Sequence, residues 1–493
     1  MPSRKKSLFV LLGNHLYHPD FLKGHEQDLF FMAENRDFCH SNTFHKHKLT
    51  FYLSAMRHYA RELKYHDLNL VYFGMDETKG LAYEDILKKV MKESSLKNLT
   101  MFEIEGKEQE NKIITFCKDN DFKLEFVPSP GFLVSRQEFK SYVHGKSKPD
   151  FRRFYEDQRS RHKILVEKDG SPFGGRFIID EEEKLKWSPK KNTPKFPASV
   201  HDEIDAAVIQ LVRQEFSENP GMARAFWYPT SREGALSTFK DFCEHRLPEF
   251  GVYQSAICPN EDFLFHSVLA PLLNVGLLTP KQVLDGVIQH AAHHPVSLNS
   301  LEAFVRQILG YREYIHGIYQ NFGEQQQSSN TLNHERLLHQ NWRDGKTGIP
   351  LLDDSIQKAS RLAYSHGTER SMVLKNMMNL AEINPQEIHR WFAEMHIDSA
   401  EWALVPNIYD QSPESAMVWN SKDWLKVSNY ERGEWCEEVD GLYWRFVEKN
   451  KKALSKTAAS AGLIAELEKL PSDRRQTLER AADNFLARNT VYP

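Results

Sequence analysis

Residues 263–322 read FLFHSVLAPLLNVGLLTPKQVLDGVIQHAAHHPVSLNSLEAFVRQILGYREYIHGIYQNF. Leu301, Phe304, Val305, Ile308, Leu309 and Arg312 follow i, i+3, i+4, i+7, i+8 spacing, which places one face of a helix against a core. Leu269, Leu272, Leu273, Gly276 and Leu277 repeat the pattern upstream, so a first helix is expected over 263–276. Thr279-Pro280 supplies an N-cap and a first-turn proline for a second helix. Asn299-x-x-Glu302 reads as a capping box for a third, over 299–320. This block is helical, apolar on one face, and inset with polar groups: His266, Ser267, Asn274, Arg306, Gln307, Arg312 and Glu313.

Outward from this block the pattern changes. Toward the C-terminus, further helices are expected at 352–364, 368–382, 385–395, 440–450 and 472–488; on the N-terminal side, at 203–217 and 233–246. Before residue 135 the period is mixed. Short apolar runs at 7–12, 28–32, 68–73, 99–104 and 124–127 alternate with helical stretches at 50–64, 86–91 and 107–119. Strands alternating with helices mean βαβ units and a parallel sheet. No G-x-G-x-x-G follows the first strand, which argues against an ordinary nicotinamide dinucleotide site. The predicted organisation is therefore α/β plus all-α. A Rossmann-like parallel-sheet domain spans 1–135, a long linker ordered in places 136–202, and an all-helical domain 203–493.

Composition sets bounds on function. The 493 residues are 40% hydrophobic and 27% charged, in the range of ordinary globular proteins, and at this length they call for two or three domains. No run of about 18 apolar residues exists, so no membrane partner is expected. The basic N-terminus runs straight into strand-like sequence with no small-residue cleavage site, so it does not read as a signal peptide. A net charge of −4 argues against a wholesale polyanion binder but leaves room for a local basic groove. One candidate is the segment with Arg152, Arg153, Arg159, Arg161, His162 and Lys163; a solvated helix face is the simpler reading. The five cysteines form no C-x-x-C, which fits reduced thiols in a cytoplasmic protein. The nine tryptophans are read first as helical core.

Ordered motifs then narrow the reading. The run Ser267-Val-Leu269-Ala-Pro271 through Asn274, Gly276 and Thr279-Pro280-Lys281 resembles the S-x-L-S-P-x-L-x-x-G-x-(L/I)-(S/T)-P-R segment of the photolyase/cryptochrome flavoproteins. Phe304-Val-Arg306-Gln307 through Gly310-Tyr311-Arg312-Glu313-Tyr314 is similar to that family's F-x-R-Q-(I/L)-x-G-W-R-E-(F/Y) helix. Trp342-Arg-Asp-Gly345-Lys-Thr347-Gly348-Ile-Pro350-Leu-Leu-Asp353 resembles its W-x-x-G-x-T-G-x-P-x-x-D turn. Segments 54–64, 154–177, 250–257 and 397–407 are similar to the prokaryotic branch that includes the bacterial (6-4) photolyases. The resemblance runs to about residue 450.

It implies FAD held by His266, Ser267, Leu269, Asn274, Arg306, Gln307, Arg312, Asp398 and Asn407, with His266, Ser267 and Asn274 on one helix and Asn407 near flavin N5. Each of these taken singly reads as a satisfied core polar group; the ordered set favours the cofactor. Hydroxyl and amide donors at helix N-termini and arginines suit a pyrophosphate. Trp342 and Trp391 match positions that relay electrons to photoexcited flavin, with Phe392 where relatives often carry Tyr; core aromatics are the alternative. A ribityllumazine-type antenna near Glu34, in the Met32-Ala-Glu34 segment, is also implied. The partners implied are damaged DNA for a repair enzyme or a signalling protein for a sensor, with the chain a monomer.

Three departures qualify the likeness. Relatives bind a four-iron cluster through four cysteines; Leu351 stands at one of those positions and Cys436 alone remains, so no iron–sulfur cluster is expected. Segment Tyr364-Ser365-His366-Gly367-Thr368-Glu369-Arg370 aligns with the family's active-site helix, where (6-4) enzymes carry a proton-donating His at the position of Gly367. Gly offers neither proton nor hydrogen bond, and His366 becomes the substitute candidate. Mid-helix, this Gly implies space or close backbone approach. The stretch 451–467 is apolar and small where the family carries N-x-R. The expected function is a photolyase-type lyase, FAD-dependent and driven by blue light, that repairs UV-damaged DNA by electron transfer. A cryptochrome-like photoreceptor without repair is the alternative, and a light-independent flavin or nucleotide binder the third reading.

Overall fold

A computed structural model describes residues 6–145, 149–179, 185–188, 192–409, 418–456 and 458–493. Parts of the expected linker (146–148, 180–184 and 189–191) lie outside them. The N-terminal sheet contains β1 (Leu8–Val10), β2 (Leu29–Ala33), β3 (Leu70–Phe73), β4 (Asn98–Phe102) and β5 (Lys123–Val127), in the order β3-β2-β1-β4-β5. Every neighbouring pair is parallel, with Phe9 opposite Phe30 and Thr100. Central β1 is fully buried because helices cover both faces of the sheet, whereas edge strand β5 alternates exposed and half-buried residues. The strand order reverses between β1 and β4, so the loops after these two strands open a crevice. Asn14 and Glu105 meet there, Nδ2 to Oε2 at 2.7 Å.

From Glu203 onward the regular elements among the described residues are helices, apart from a short antiparallel pairing of Leu337–Leu338 with Thr490–Val491 and isolated bridges. The expected α/β plus all-α architecture is present. Trp342, Trp391, Trp402, Trp424 and Trp435 share one C-terminal core cluster, packed as the composition suggested. Within the 136–202 stretch, Arg136–Val143 and Phe151–His162 are helices. They dock on the helical domain: Gly317 leaves room for the Phe139 ring, which a Cβ there would meet at 2.1 Å. Arg159 is fully buried and gives its guanidinium to the carbonyls of Ile164, Leu165 and Phe177, so the basic face spends this arginine on its own fold.

Three local expectations are corrected. The 263–276 helix shrinks to Ala270–Val275, because Leu264 (φ 44°) and Val268 (φ 55°) are left-handed and Pro271 sits in the first turn. Helix Leu298–Val305 is capped by Ser297, whose side chain accepts the Ser300 amide; Asn299 and Glu302 instead bond the Ile179 carbonyl and amide. Gly367 stands at the start of its helix, not inside it. Thr279 caps Pro280–His293 as expected. No helix among the described residues is long and apolar enough to cross a membrane.

The two domains meet tightly beside the quoted stretch. The Leu16 amide donates to the Val275 carbonyl at 2.9 Å, and Gly276 (φ 86°) turns directly over Tyr17. A Cβ at Gly276 would lie 2.6 Å from that ring, so only glycine satisfies both the turn and the contact.

Candidate functional site

Two helices of the second domain are wound wide. Leu298–Val305 continues as a π-helical segment, Arg306–Arg312, before Glu313–Gln327 resumes α-helix; Glu369–Lys375 is the second π segment. π turns carry an extra residue and recur at functional sites. Here they carry Arg306, Gln307 and Arg312 on one helix, and Glu369 and Arg370 on the other.

One polar chain links three of the expected residues. Arg312 Nη1 donates to Asn274 Oδ1 at 2.6 Å, and Asn274 Nδ2 donates to the Asp398 carbonyl at 2.9 Å. The Asp398 carboxylate is held by Arg370 at 2.7 Å, and Arg370 Nε bonds the Ser365 carbonyl. Arg312 also lies 4.7 Å from the ring centroids of both Phe132 and Trp402. This stacking holds the guanidinium plane while its N–H edges stay directional.

Beside this chain His266 and His366 stack, centroids 4.1 Å apart and 14° from parallel. Both are buried, and burial pushes both well below the ordinary imidazole range, each helped by nearby cationic or imidazole charge. The pair is therefore neutral near pH 7. The His366 amide donates to Glu369, whose other oxygen takes Lys358 Nζ at 2.6 Å. Gly367 next to it is exposed, and a Cβ there would meet nothing within 4 Å.

A third line approaches through aromatic core. Trp342 is fully buried; Trp391 Nε1 donates to the Trp342 carbonyl at 3.2 Å. The Trp391 ring lies 5.7 Å from His396, whose Nε2 meets Ser365 Oγ at 2.7 Å. Phe392 stacks on the same imidazole. Trp342, Trp391, His396 and Ser365 thus form a continuous path to the residue before His366.

The other expected residues separate. Arg306 faces Glu302, one helical turn back at 3.2 Å, and Glu302 also takes Tyr155 Oη. Asn407 accepts from Tyr311 Oη at 2.6 Å, and its carbonyl takes Lys375 Nζ. Ser267 and Gln307 are half-buried, and Leu269 belongs to the apolar core. His266 and Ser267 precede the helix that carries Asn274, which corrects their expected place on it. Glu34 is fully buried, with Arg57 on both oxygens, Tyr72 Oη at 2.6 Å and the Met75 amide at 2.8 Å. A carboxylate so committed does not fit an antenna anchor.

Arg370 sat inside a quoted motif without an assigned role; its spacing from Gly367 was the available signal. Lys48, from the N-terminal domain, gave none. Its ammonium bonds Ser399 Oγ at 2.7 Å beside Asp398, and burial lowers its pKa to about 8.

A flavin dinucleotide was the group implied, and the residues fit it. His266 Nε2 and Arg312 Nε are buried without a hydrogen-bond partner among the described residues. Buried polar atoms of this kind call for a ligand or water. Val268, a β-branched residue at positive φ, adds strain next to Ser267.

Residues 9–228 match the profile of a family described as deoxyribodipyrimidine photo-lyase-related protein. The (6-4) photolyase of Agrobacterium fabrum is 27% identical over 461 residues, covering 90% of this chain and 91% of that protein. The deoxyribodipyrimidine photo-lyase of Buchnera aphidicola is 22% identical over 187 residues, 35% of this chain and 36% of that protein. Among solved structures, a bacterial class III photolyase from Agrobacterium tumefaciens superposes with a TM-score of 0.59 at 15% identity, covering 98% of each chain. A cryptochrome from Synechocystis gives 0.56 at 12%, covering 99% of this chain and 100% of that one. At those identities the superpositions speak for the fold.

Proposed function

We propose, from the likeness of residues 9–228 to a photolyase-related family and of most of the chain to a (6-4) photolyase, that this protein is an FAD-dependent, blue-light-driven lyase of the photolyase type acting on UV-damaged DNA. The observation that carries the reading is the polar chain Arg312–Asn274–Asp398–Arg370 beside the stacked pair His266 and His366. FAD, held by Arg312, Asn274 and His266, would bring blue-light-driven electron-transfer chemistry to this site.

The chain's own residues prepare that site. Arg312 and Asn274 present fixed N–H donors, and the strained Leu264–Val268 turn aims His266 inward. Asp398, neutralised by Arg370, keeps its carbonyl for Asn274. His366, neutral at pH 7, can donate an N–H hydrogen bond to a flipped base at the opening beside Gly367. Trp391 and Trp342 form the inner part of a route for reduction from the surface. We place the enzyme in the cytoplasm as a monomer and keep iron–sulfur chemistry out of the reading, since Leu351 and Cys436 both lie in apolar core.

Gly367 favours a second reading. A glycine where repair relatives carry a proton donor suits a cryptochrome-like photoreceptor acting on a protein partner. The deciding experiment is irradiation of the purified protein with oligonucleotides carrying (6-4) or cyclobutane lesions. Lesion loss under blue light supports the enzyme. Unchanged lesions, together with light-dependent flavin redox change, support the receptor.

A further inference from the structure

Away from that site, on the seam between the domains, His58, Asp202 and Asp205 converge. His58 comes from helix Lys46–Tyr65 of the N-terminal domain; the two aspartates come from the start of helix Glu203–Glu215. His58 Nε2 lies 3.5 Å from Asp202 Oδ1 and 3.5 Å from Asp205 Oδ2. The donor atoms of all three residues fall within 4.8 Å of one another. His201 adds a second imidazole near the same Asp205 oxygen, Nδ1 to Oδ2 at 3.4 Å.

These separations decide between two explanations. An N–H···O hydrogen bond spans about 2.7–3.2 Å. Distances of 3.4–3.5 Å are too long, and neither His58 Nε2 nor His201 Nδ1 has a hydrogen-bond partner among the described residues. The edge of a tetrahedron with ligands at about 2.0–2.1 Å is ~3.3–3.4 Å. The two separations from His58 Nε2 lie close to that edge. His58 is only 7% exposed, so its bare nitrogen is a buried polar atom aimed at two carboxylates.

We infer that His58, Asp202 and Asp205 bind one divalent first-row transition-metal cation, with zinc the natural occupant and a fourth position open to water. One nitrogen and two carboxylate oxygens suit zinc or manganese. Two carboxylates also balance a divalent charge. Thr230 Oγ1 donates to the other Asp205 oxygen, Oδ1, at 2.8 Å and orients the carboxylate. A surface cleft of about 430 Å³, lined by His58, Arg61, Glu62 and Arg232 among others, opens on the His58 side of the cluster.

Arg61 is the built-in competitor. Its Nη2 lies 2.9 Å from His58 Nδ1 and 2.9 Å from Asp202 Oδ2. When it donates to Nδ1, the imidazole proton sits on Nε2 and blocks the metal. Arg61 is 53% exposed and reaches Glu203 as well, so it can leave Nδ1 while keeping an acidic partner. Binding therefore moves the proton to Nδ1 and displaces this arginine contact.

The test is calorimetric titration of the full-length protein with Zn²⁺, with His290→Ala and His294→Ala in the background to remove the exposed stacked pair on another helix. One equivalent is expected, with a raised thermal midpoint because the ion joins the domains. His58→Gln should weaken binding at least about 100-fold, since even outer partners of a metal site are worth 10–100-fold. Arg61→Ala should tighten it. The inference is overturned if the background protein takes up no zinc, or if His58→Gln binds it equally well. Should His58→Gln fail to fold, Arg61→Ala decides alone, with unchanged or weaker binding counting against the site.

Discussion

Arg370 closes on Asp398 at 2.7 Å, while the backbone carbonyl of the same aspartate receives Asn274 at 2.9 Å. One residue thus ties the second wide-wound helix to the helix after the Leu264–Val268 turn, and the tie passes on to Arg312.

Asn274→Ala removes both links at once and leaves the Arg312 guanidinium with one partner fewer in a buried place. Such a loss costs about 1–3 kcal/mol. Flavin retained per chain after gel filtration should fall by roughly tenfold or more. Stoichiometry equal to wild type would exclude this network from cofactor binding.

Burial depresses His266, His366 and His396 in the folded state. The unfolded chain therefore binds more protons on these groups once pH drops through the unfolded imidazole value of about 6.5. Stability contributed by the neutral rings is complete above that pH and is lost as pH falls below it, at up to about 1.4 kcal/mol per unit for each group. His366→Gln should flatten the profile of denaturation midpoint between about pH 6.5 and 5. An unaltered slope would show that His366 is not one of the groups responsible.

Trp391→Phe keeps an aromatic ring against His396 but deletes the donor to the Trp342 carbonyl and the more easily oxidised indole. Blue-light flavin reduction with external reductant should slow by an order of magnitude or more if this route is used (about 1.4 kcal/mol per tenfold). Trp342→Phe should act in the same direction. Equal rates in both variants would move the route elsewhere.

Gly367→His places a side chain where a Cβ meets nothing within 4 Å, at a glycine whose φ is not left-handed. Thermal stability should hold or rise by about 0.4–1 kcal/mol through the unfolded chain. If the lesion pocket is at this position, repair of (6-4) lesions should increase over wild type. A stable variant with no change in repair would assign the opening to some other role.

Much of the frame was legible because period and apolar content are local properties. The five strands and most helices fall where alternation and i, i+3, i+4 spacing put them. The misreadings share a cause: partners distant in sequence. Ser297 wins the cap because Asn299 and Glu302 are claimed by Ile179, over a hundred residues upstream. Leu264 and Val268 abandon helix although both are apolar and regularly spaced, and Tyr228 Oη on the Val268 carbonyl helps hold that turn. The site was half visible. Motif order named Asn274, Arg312 and Asp398, and it passed over Arg370 and Lys48, whose roles exist only once a second chain segment lies beside them. The neighbours that hold Glu34 were likewise invisible to a motif match: Arg57, Tyr72 and the Met75 amide come from other segments.

The wide winding at Arg306–Arg312 and Glu369–Lys375 carries a further consequence. Each residue advances an α-helix by about 100°. Deleting one residue inside Arg306–Arg312 would take out the extra residue that a π turn holds and restore regular winding. The helix beyond would keep close to its present phase, so Glu313 would still meet the Leu133 and Val134 amides and Gly317 would still face Phe139. What would change is the facing of the side chains inside the segment, Arg306 and Gln307 among them, so the wide winding sets how these groups are presented while the flanking helix stays in register.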